Sequence, residues 1–218
     1  MTDPIAALSA DQNAKLDRFA AELVRMNKHV NLVAPTTLRE GELERVHLKH
    51  SLALSTKAFP PEAVVVDWGA GGGLPTIPLA IAFPETQFVA VDAVGKKMEA
   101  VRTFARRLGL PNLGVWIGRA EAYDGPAPHY CVSRATAPLA DLWAWTERVL
   151  TPLAEPPSPE AEDVWQPGLL TLKGGNLDEE VAAMHEAHPG LTTSRTYLKA
   201  LLGPGYPSKM ILEVRPEA

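Results

Sequence analysis

Short apolar runs alternate with helical patterns from residue 62 to residue 187, and this alternation restricts the chain to a small set of folds. Strands that alternate with helices form a parallel sheet with helices on both faces. The predicted strands are 62–67, 87–92, 113–117, 129–133 and 168–173, and the predicted helices are 75–83, 95–108, 119–123, 137–150 and 177–187. Two further β-like runs, 191–201 and 209–215, have no helix between them, which indicates an antiparallel edge hairpin. The sequence therefore predicts an α/β fold around a mostly parallel, seven-stranded sheet.

The residues that precede this alternation predict helices only. Ser9 and Gln12 form a capping-box pattern, and apolar residues then recur at helical spacing. A second helical pattern covers 41–58 and is stopped by two consecutive prolines. We therefore predict an N-terminal helical extension over 1–60 and one α/β domain over 61–218.

Residues 151–167 differ in composition from the rest of the predicted domain. They contain five of the 20 prolines in the chain together with four acidic residues. Because such a segment offers little apolar surface for burial, we predict a mobile surface loop.

The composition argues against several classes of protein. No apolar run approaches the roughly 20 residues that a membrane helix needs, and the N-terminal residues lack the basic and apolar regions of a secretion signal. The single cysteine, Cys131, excludes an internal disulfide and fits a reducing compartment, so we expect a cytoplasmic protein. His47 and His50 are three residues apart, but no further cluster of ligand-type residues is evident, and we expect no metal site.

The first predicted strand ends in a glycine-rich turn, Asp67-Trp68-Gly69-Ala70-Gly71-Gly72-Gly73-Leu74. Ligands of a parallel sheet bind beyond the carboxyl ends of the strands, where glycines let the backbone approach them closely. The dinucleotide pattern G-x-G-x-x-G would need glycine at position 74 or 76, where the chain has leucine and threonine. The residues fit D-x-G-x-G-x-G instead, with Asp67 at the strand tip followed by Gly69, Gly71 and Gly73. This pattern resembles the first motif of methyltransferases that use S-adenosylmethionine.

Asp92 ends the second predicted strand, 19 residues after Gly73. Since neighbouring parallel strands end at the same edge of a sheet, we expect Asp92 beside the glycine turn. Its carboxylate can accept hydrogen bonds from the two adjacent hydroxyls of a ribose. In the methyltransferase resemblance, Asp67 accepts from the ammonium group of the methionine moiety and Asp92 binds the ribose.

Seven segments carry a narrower resemblance. They are NKHVNL (27–32), HLKHSLAL (47–54), GAGGGLPTIPLAI (69–81), VDAVGKK (91–97), GRAEA (118–122), VSRATAPL (132–139) and LKGG (172–175). In this order they resemble the bacterial glucose-inhibited-division protein B family over residues 16–175. The resemblance implies a Rossmann-like class I methyltransferase with S-adenosylmethionine as its cofactor. It also implies that the substrate is guanine N7 in 16S ribosomal RNA of the small subunit.

The resemblance further implies roles for residues at the strand ends. Cofactor contacts are implied at Gly69, Leu74, Asp92, Ala120 and Glu121. Arg134 is implied to lie beside the cofactor and the incoming base and to help position them. Lys173, at the tip of the fifth predicted strand, is implied to lie on the same face and is a candidate RNA contact.

The chain departs from the family pattern at several positions. His50 stands where the family usually has an acidic residue, Trp68 replaces a small aliphatic residue, and Thr76 replaces a glycine. The GYPSKM segment (205–210) lacks the Glu-Arg pair that the family tends to show after its sixth strand. The assignment of the cofactor does not depend on these positions.

The chemistry of guanine N7 agrees with the residues at hand. N7 carries a lone pair and no proton, so it can attack an activated methyl group directly, without a general base or a covalent intermediate. Methylation of pyrimidine C5 needs a cysteine nucleophile, and Cys131 lies within an apolar strand where a thiol is inert. The turn Ser133-Arg134-Ala135 also lacks the residues that exocyclic-amine and ribose methylation typically use.

Basic residues predict contacts with RNA phosphates. The candidates are Lys28, Lys96, Lys97 and Arg106, although a solvated helix face explains the last three equally well. The formal net charge of −5 argues mildly against binding of naked nucleic acid. We therefore expect a 30S subunit or assembly particle as the substrate.

Three alternatives share parts of this pattern. A small-molecule methyltransferase would use the same fold and cofactor without the basic residues. An oxidoreductase would bind a dinucleotide such as NAD at the glycine turn, and a ribosome-assembly factor would keep the fold without turnover. Binding of S-adenosylhomocysteine and of NADH separates these alternatives.

Overall fold

A seven-stranded sheet forms the centre of the computed structural model, which describes residues 3–39, 41–134 and 136–217. The strands are β1 (Val64–Trp68), β2 (Gln87–Asp92), β3 (Leu113–Ile117), β4 (Tyr130–Arg134), β5 (Gly168–Gly174), β6 (Leu191–Tyr197) and β7 (Lys209–Pro216). Their order across the sheet is β3-β2-β1-β4-β5-β7-β6. The first five strands are parallel, and β7 runs antiparallel to both β5 and β6. The predicted α/β fold with an antiparallel edge hairpin is confirmed.

The helices occupy the predicted connections. They are α1 (Ala10–Asn27), α2 (His50–Leu52), α3 (Thr76–Ala82), α4 (Gly95–Leu108), α5 (Leu139–Glu147), α6 (Asp178–Ala187) and α7 (Leu198–Leu202), and 3₁₀ turns cover Pro35–Leu38, Ala53–Thr56 and Ala120–Ala122. None of the helices in the described part of the chain is long and apolar enough to cross a bilayer.

Two predicted elements differ from the structure. The single helix predicted over 41–58 is a π-helix, Leu43–Lys49, that continues into α2 and a 3₁₀ turn. The strand predicted over 191–201 ends at Tyr197, and the residues after it form α7. Apolar periodicity does not distinguish these cases, because helix type depends on backbone hydrogen bonding and short apolar runs fit either state.

The sheet positions a ligand site between its two halves. The chain runs from β1 outward to β2 and β3, then returns to place β4 on the other side of β1. Such a reversal opens a crevice at the carboxyl ends of the central strands. The glycine turn follows β1 directly and therefore lies at the mouth of this crevice.

The α1 helix packs on the same hydrophobic core as the sheet. The predicted capping box is confirmed, since Ser9 Oγ accepts from the Gln12 amide and Gln12 Oε1 accepts from the Ser9 amide. Leu16, Phe19 and Leu23 are buried in a cluster that also contains residues of α3 and α4. The division at residue 60 stays a prediction, and the described helices before it share a core with the domain after it.

Residues 151–167 form neither helix nor strand, but Val164 and Trp165 are bonded to the rest of the chain. Trp165 is only 1% exposed, and its Nε1 donates to the Leu54 carbonyl at 2.8 Å. The backbone of Val164 forms a β-bridge with Ala58, and Tyr130 Oη donates to the Trp165 carbonyl at 2.8 Å. The composition of the segment did not predict this contact, because a single buried tryptophan can order the end of a loop that is otherwise polar and rich in proline.

We expect Trp165→Ala to lower the free energy of unfolding by about 3–5 kcal/mol, because it leaves a large cavity and an unpaired carbonyl at Leu54. Chemical denaturation followed by circular dichroism measures this change. Glu160→Ala, at an exposed position of the same loop, is the matched control and should stay within about 0.5 kcal/mol of the unaltered protein. Equal stabilities of the two variants would contradict the anchoring role.

Candidate active site

A cleft of about 250 Å³ opens at the carboxyl ends of β1, β2 and β3, and we call it the glycine-turn cleft. It brings together four residues that the sequence predicts as cofactor contacts: Gly69, Asp92, Ala120 and Glu121. The other residues that line it are Val91, Ala93, Gly118, Arg119, Thr136 and Trp145. The sequence reasoning missed these six, although three of them, Val91, Ala93 and Arg119, are direct neighbours of predicted residues along the chain.

Asp92 is held in place by two backbone amides. Its Oδ1 accepts from the Val94 amide at 2.8 Å, and its Oδ2 accepts from the Gly71 amide at 3.1 Å. Each carboxylate oxygen has a further lone pair for a ligand. The carboxylate is thus oriented at the cleft and joins the end of β2 to the turn after β1.

The glycines of the turn serve different purposes. Gly69 has a φ of +71°, and a Cβ at this position would lie 2.1 Å from Thr136 Cγ2. Gly71 has a φ of +55°, which presents its amide to Asp92. Gly73 is buried, and its Cβ would lie 2.4 Å from Ile77 Cδ1. Gly69 therefore shapes the cleft, whereas Gly73 lets the turn pack on α3 and does not line the cleft.

The position of Asp67 does not fit its predicted contact with the ammonium group of the cofactor. Strand β1 continues one residue further, to Trp68, and the Asp67 side chain is fully buried. Thr76 Oγ1 donates to Asp67 Oδ2, and Oδ1 has no hydrogen-bond partner among the described residues. Burial raises the pKa of Asp67 to about 7. The hydrogen bond between Asp67 and Thr76, the threonine that replaces the family glycine, thus joins β1 to the first residue of α3 and stabilises the turn between them.

Leu74 is also placed in the core rather than in the cleft. Its side chain is 3% exposed and belongs to the hydrophobic cluster that contains Ile77 and Val101. A side-chain contact between Leu74 and a cofactor therefore does not follow from this position. The leucine is suited to fixing the turn on α3 and α4.

Arg134 lines a different cavity from the glycine-turn cleft. Its Nη1 donates to the Val46 carbonyl at 3.3 Å and lies 3.0 Å from His47 Nδ1. The guanidinium group is thereby tied to the π-helix. Thr136, two residues further along the chain, does line the cleft. The contact of Arg134 with the cofactor stays a prediction.

Lys173 is engaged by other residues of the chain. Its side chain is 10% exposed and forms an ion pair with Glu180 at 2.5 Å. Its Nζ also donates to the Ala137 carbonyl at 2.7 Å, and Glu180 accepts from the Leu139 amide at 2.9 Å. Lys173 and Glu180 together hold the loop between β4 and α5, and the RNA contact of Lys173 stays a prediction.

The other predicted RNA contacts lie on the surface. Lys28, Lys96 and Arg106 are exposed and Lys97 is half-buried. Within the described residues none of these four forms an ion pair, in contrast to Arg102 and Arg107 on the same helix as Lys96. Their side chains are therefore available to an anionic partner, and their role in binding RNA stays a prediction.

A tryptophan forms one wall of the cleft. Trp143 is 2% exposed and lies in the core, as expected for one of two tryptophans that cannot share a helix face. Trp145 lines the cleft and packs against Trp68, with ring centroids 6.4 Å apart. Trp68 in turn donates from Nε1 to Thr146 Oγ1 at 3.1 Å, which fixes this aromatic wall.

Neither Cys131 nor His47 offers a free reactive group. Cys131 is fully buried, and burial raises the pKa of its thiol to about 12, so the thiol is inert. His47 Nε2 lies 2.7 Å from Thr37 Oγ1, while its Nδ1 faces Arg134. Over 3–39, 41–134 and 136–217, no three His, Cys, Asp or Glu side chains are grouped as metal ligands.

Comparison with known protein families and structures gives a consistent result. The family model described as rRNA small subunit methyltransferase G matches residues 12–155. A protein of that name from Salinibacter ruber is 54% identical over 200 residues, covering 92% of this chain and 90% of its own length. One from Chlorobaculum tepidum is 38% identical over 188 residues, covering 82% and 77%, respectively.

Solved structures share the fold. A SAM-dependent methyltransferase from Aquifex aeolicus superimposes with a TM-score of 0.57 and 14% identity, covering 82% of this chain and 95% of its own. An O-methyltransferase from Bacillus cereus in complex with SAH gives 0.54 and 16% identity, covering 97% and 100%, respectively. At these low identities the comparison shows that the fold is shared and nothing more.

Proposed function

Because the chain belongs to the family of ribosomal RNA small subunit methyltransferases G, we propose that it methylates N7 of a guanine in 16S ribosomal RNA. Family and fold together make the chain an S-adenosylmethionine-dependent methyltransferase of small-subunit ribosomal RNA. They disfavour the dinucleotide oxidoreductase. The observation that carries the proposal is the glycine-turn cleft, which Gly69 and Asp92 line together and in which the Gly71 amide holds the Asp92 carboxylate.

The cleft offers hydrogen-bonding groups that are suited to S-adenosylmethionine. Asp92 offers two oriented carboxylate oxygens to a ribose diol. Ala120 and Glu121, at the end of β3, offer a backbone amide and a carboxylate to an adenine ring. Gly69 leaves space beside Thr136 for the methionine end, where any Cβ would fill the cradle.

The reaction asks the protein for position rather than for acid–base chemistry. When bound, S-adenosylmethionine supplies a methyl group on a sulfonium that any aligned lone pair can attack. Among the described residues that line the cleft there is no cysteine or histidine, which agrees with direct transfer to an unprotonated ring nitrogen. Alignment of two reactants can supply roughly 7–11 kcal/mol of the barrier. The rigid strand ends around the cleft are suited to this role.

The proposal is tested on 30S subunits from cells that lack the gene. Purified protein and S-adenosylmethionine are added to these subunits, and the nucleosides of the 16S RNA are analysed by mass spectrometry. We expect 7-methylguanosine to appear, and naked 16S RNA in a parallel reaction tests whether a particle is required. A methyl group on any other atom would overturn the proposed substrate.

Exposed cations should matter for the RNA substrate. We expect the double reversal Lys96→Glu and Arg106→Glu to raise the KM for 30S subunits about tenfold at 0.1 M salt, because two phosphate contacts are lost. The affinity for S-adenosylhomocysteine should not change. Steady-state kinetics at several salt concentrations measure the effect.

The matched control is Arg215→Glu. Arg215 is exposed near the end of β7. Its neighbour Val214 pairs with Leu169 at the start of β5, so Arg215 lies at the edge of the sheet opposite to the cleft. The control should leave KM unchanged. If the Lys96→Glu/Arg106→Glu variant turns over as fast as the unaltered protein, and the rate does not depend on salt, a small-molecule substrate is favoured.

A further inference from the structure

A second cavity, of about 420 Å³, lies at the same edge of the sheet as the glycine-turn cleft, and we call it the His50 cavity. Its walls come from the π-helix and α2 on one side and from the segment before β7 on the other. Arg134 closes it toward the sheet, and Thr136, two residues further along the chain, already lines the cleft. The cavity and the cleft thus have lining residues that are only two positions apart along the chain.

His50 presents an unused acceptor in this cavity. The side chain is 7% exposed, and Nε2 has no hydrogen-bond partner among the described residues. Burial and the nearby charges of Arg134 and Lys209 lower the pKa of His50 to about 3, so the ring is neutral. A neutral ring has one acceptor nitrogen. Because the ring also interacts with the backbone of Val46, we assign the proton to that side and the acceptor to Nε2.

Lys209 also lines this cavity, and its ammonium group lies beside Gly174. The other two cations of the wall are already engaged: Arg134 by the Val46 carbonyl and His47, and Arg45 by Glu42 and the Gly205 carbonyl. Lys209 is exposed and forms no ion pair within the described residues. It pairs in register with Gly174 at the end of β5, which places it at the carboxyl edge of the sheet.

The cavity also has an aromatic wall. Tyr206 is 5% exposed, and its ring centroid lies 6.3 Å from that of His50. Its hydroxyl donates to the Arg45 carbonyl at 2.7 Å, which holds the ring in place. Enzymes that act on a nucleobase take the base out of its stack and read its edge in a pocket with aromatic walls. An acceptor, a free ammonium group and a fixed ring therefore match a purine with adjacent carbonyl and N–H groups.

We propose that the His50 cavity receives the target guanine, with Nε2 of His50 accepting from its N1–H or 2-amino group and the Lys209 ammonium donating to O6. This inference rests on the proposed function. Both contacts use the edge of the base that pairs in a duplex, so the lone pair of N7 is left unbonded, as methyl transfer requires.

His50→Ala and His50→Gln test the role of the acceptor. With 30S subunits and saturating cofactor, His50→Ala should lower kcat/KM by about 10- to 100-fold, because one hydrogen bond and the packing against Tyr206 are lost. His50→Gln keeps an acceptor oxygen and should retain activity within about threefold. Neither change should alter the affinity for S-adenosylhomocysteine. His185→Ala, on the remote helix α6, is the matched control.

Binding of free nucleotides distinguishes base recognition by His50 from a purely structural role, because a structural role would not change the preference between GMP and AMP. We expect the protein saturated with S-adenosylhomocysteine to bind GMP more tightly than AMP in calorimetry at millimolar nucleotide, and His50→Ala to remove the difference. Full activity of His50→Ala, or equal losses in His50→Ala and His50→Gln, would overturn the assignment. Absence of 7-methylguanosine with the unaltered protein would overturn the proposed function instead, so the two failures are distinguishable.

Discussion

Replacement of Asp92 by alanine should lower the affinity for S-adenosylmethionine and S-adenosylhomocysteine by about 10²- to 10⁴-fold. The side chain offers two charge-assisted hydrogen bonds to a ribose, each worth about 1.5–3 kcal/mol, and 1.4 kcal/mol corresponds to a factor of ten. It also accepts from the Gly71 and Val94 amides, so its loss loosens the turn itself. Isothermal titration calorimetry measures the affinity directly.

Asp92→Asn separates the charge from the geometry. Asparagine keeps one acceptor oxygen and the size of the side chain but cannot accept from both amides. We expect it to bind more weakly than the unaltered protein and more tightly than Asp92→Ala. If Asp92→Ala binds S-adenosylhomocysteine as the parent does, the assignment of the glycine-turn cleft as the cofactor site is wrong.

Gly69→Ala should have the second largest effect, with affinity for the cofactor reduced at least about tenfold. The new Cβ would lie 2.1 Å from Thr136 Cγ2, so the loop after β4 must move. The left-handed backbone at φ +71° adds strain of about 1 kcal/mol for any residue with a Cβ. Calorimetry and thermal unfolding together measure both consequences.

Gly109→Ala is the matched control for the strain alone. Gly109 has a φ of +65°, and its Cβ would meet nothing within 4 Å. We expect a loss of about 1 kcal/mol in stability with unchanged affinity for the cofactor. Equal affinities of the Gly69 and Gly109 variants would show that close approach to Thr136 does not shape the site.

The fold could be predicted because its signals are local. The α4 helix has its predicted bounds, Gly95–Leu108, since Met98, Val101 and Phe104 recur on one face and Gly109 ends the helix. Strands β2 and β3 also have their predicted bounds. The π-helix could not be predicted, because its distinction from an α-helix is a shift of hydrogen-bonding partners that leaves the apolar spacing nearly unchanged.

Of the site, the sequence could predict only the residues that directly follow the strands, because aligned strand ends bring those residues together. Asp92 and Gly69 come together because β1 and β2 are parallel neighbours whose ends are aligned. The predicted end of β1 at Asp67 was one residue short, because the strand includes Trp68. A one-residue difference at a strand end decides whether a side chain faces a ligand or the interior, and Asp67 is buried.

Partners that are distant in sequence were beyond prediction. Lys173 meets the Ala137 carbonyl, Arg134 meets Val46, and Trp165 meets Leu54. Each of these contacts joins segments that only the folded sheet brings together, and no spacing rule relates them. A charged residue at a strand tip therefore predicts a place at the sheet edge, while its availability to a substrate depends on neighbours from elsewhere in the chain.

The packing of α1 against α3 and α4 bears on how the protein melts. Leu16, Phe19 and Leu23 share one apolar cluster with Ile77 and Phe104, so helices before residue 60 cannot detach without exposing the interior of the sheet domain. Elements that share a core unfold as one cooperative unit. Slowly exchanging amides in α1 and in β1 should consequently report the same opening free energy, and the chain should show a single calorimetric transition.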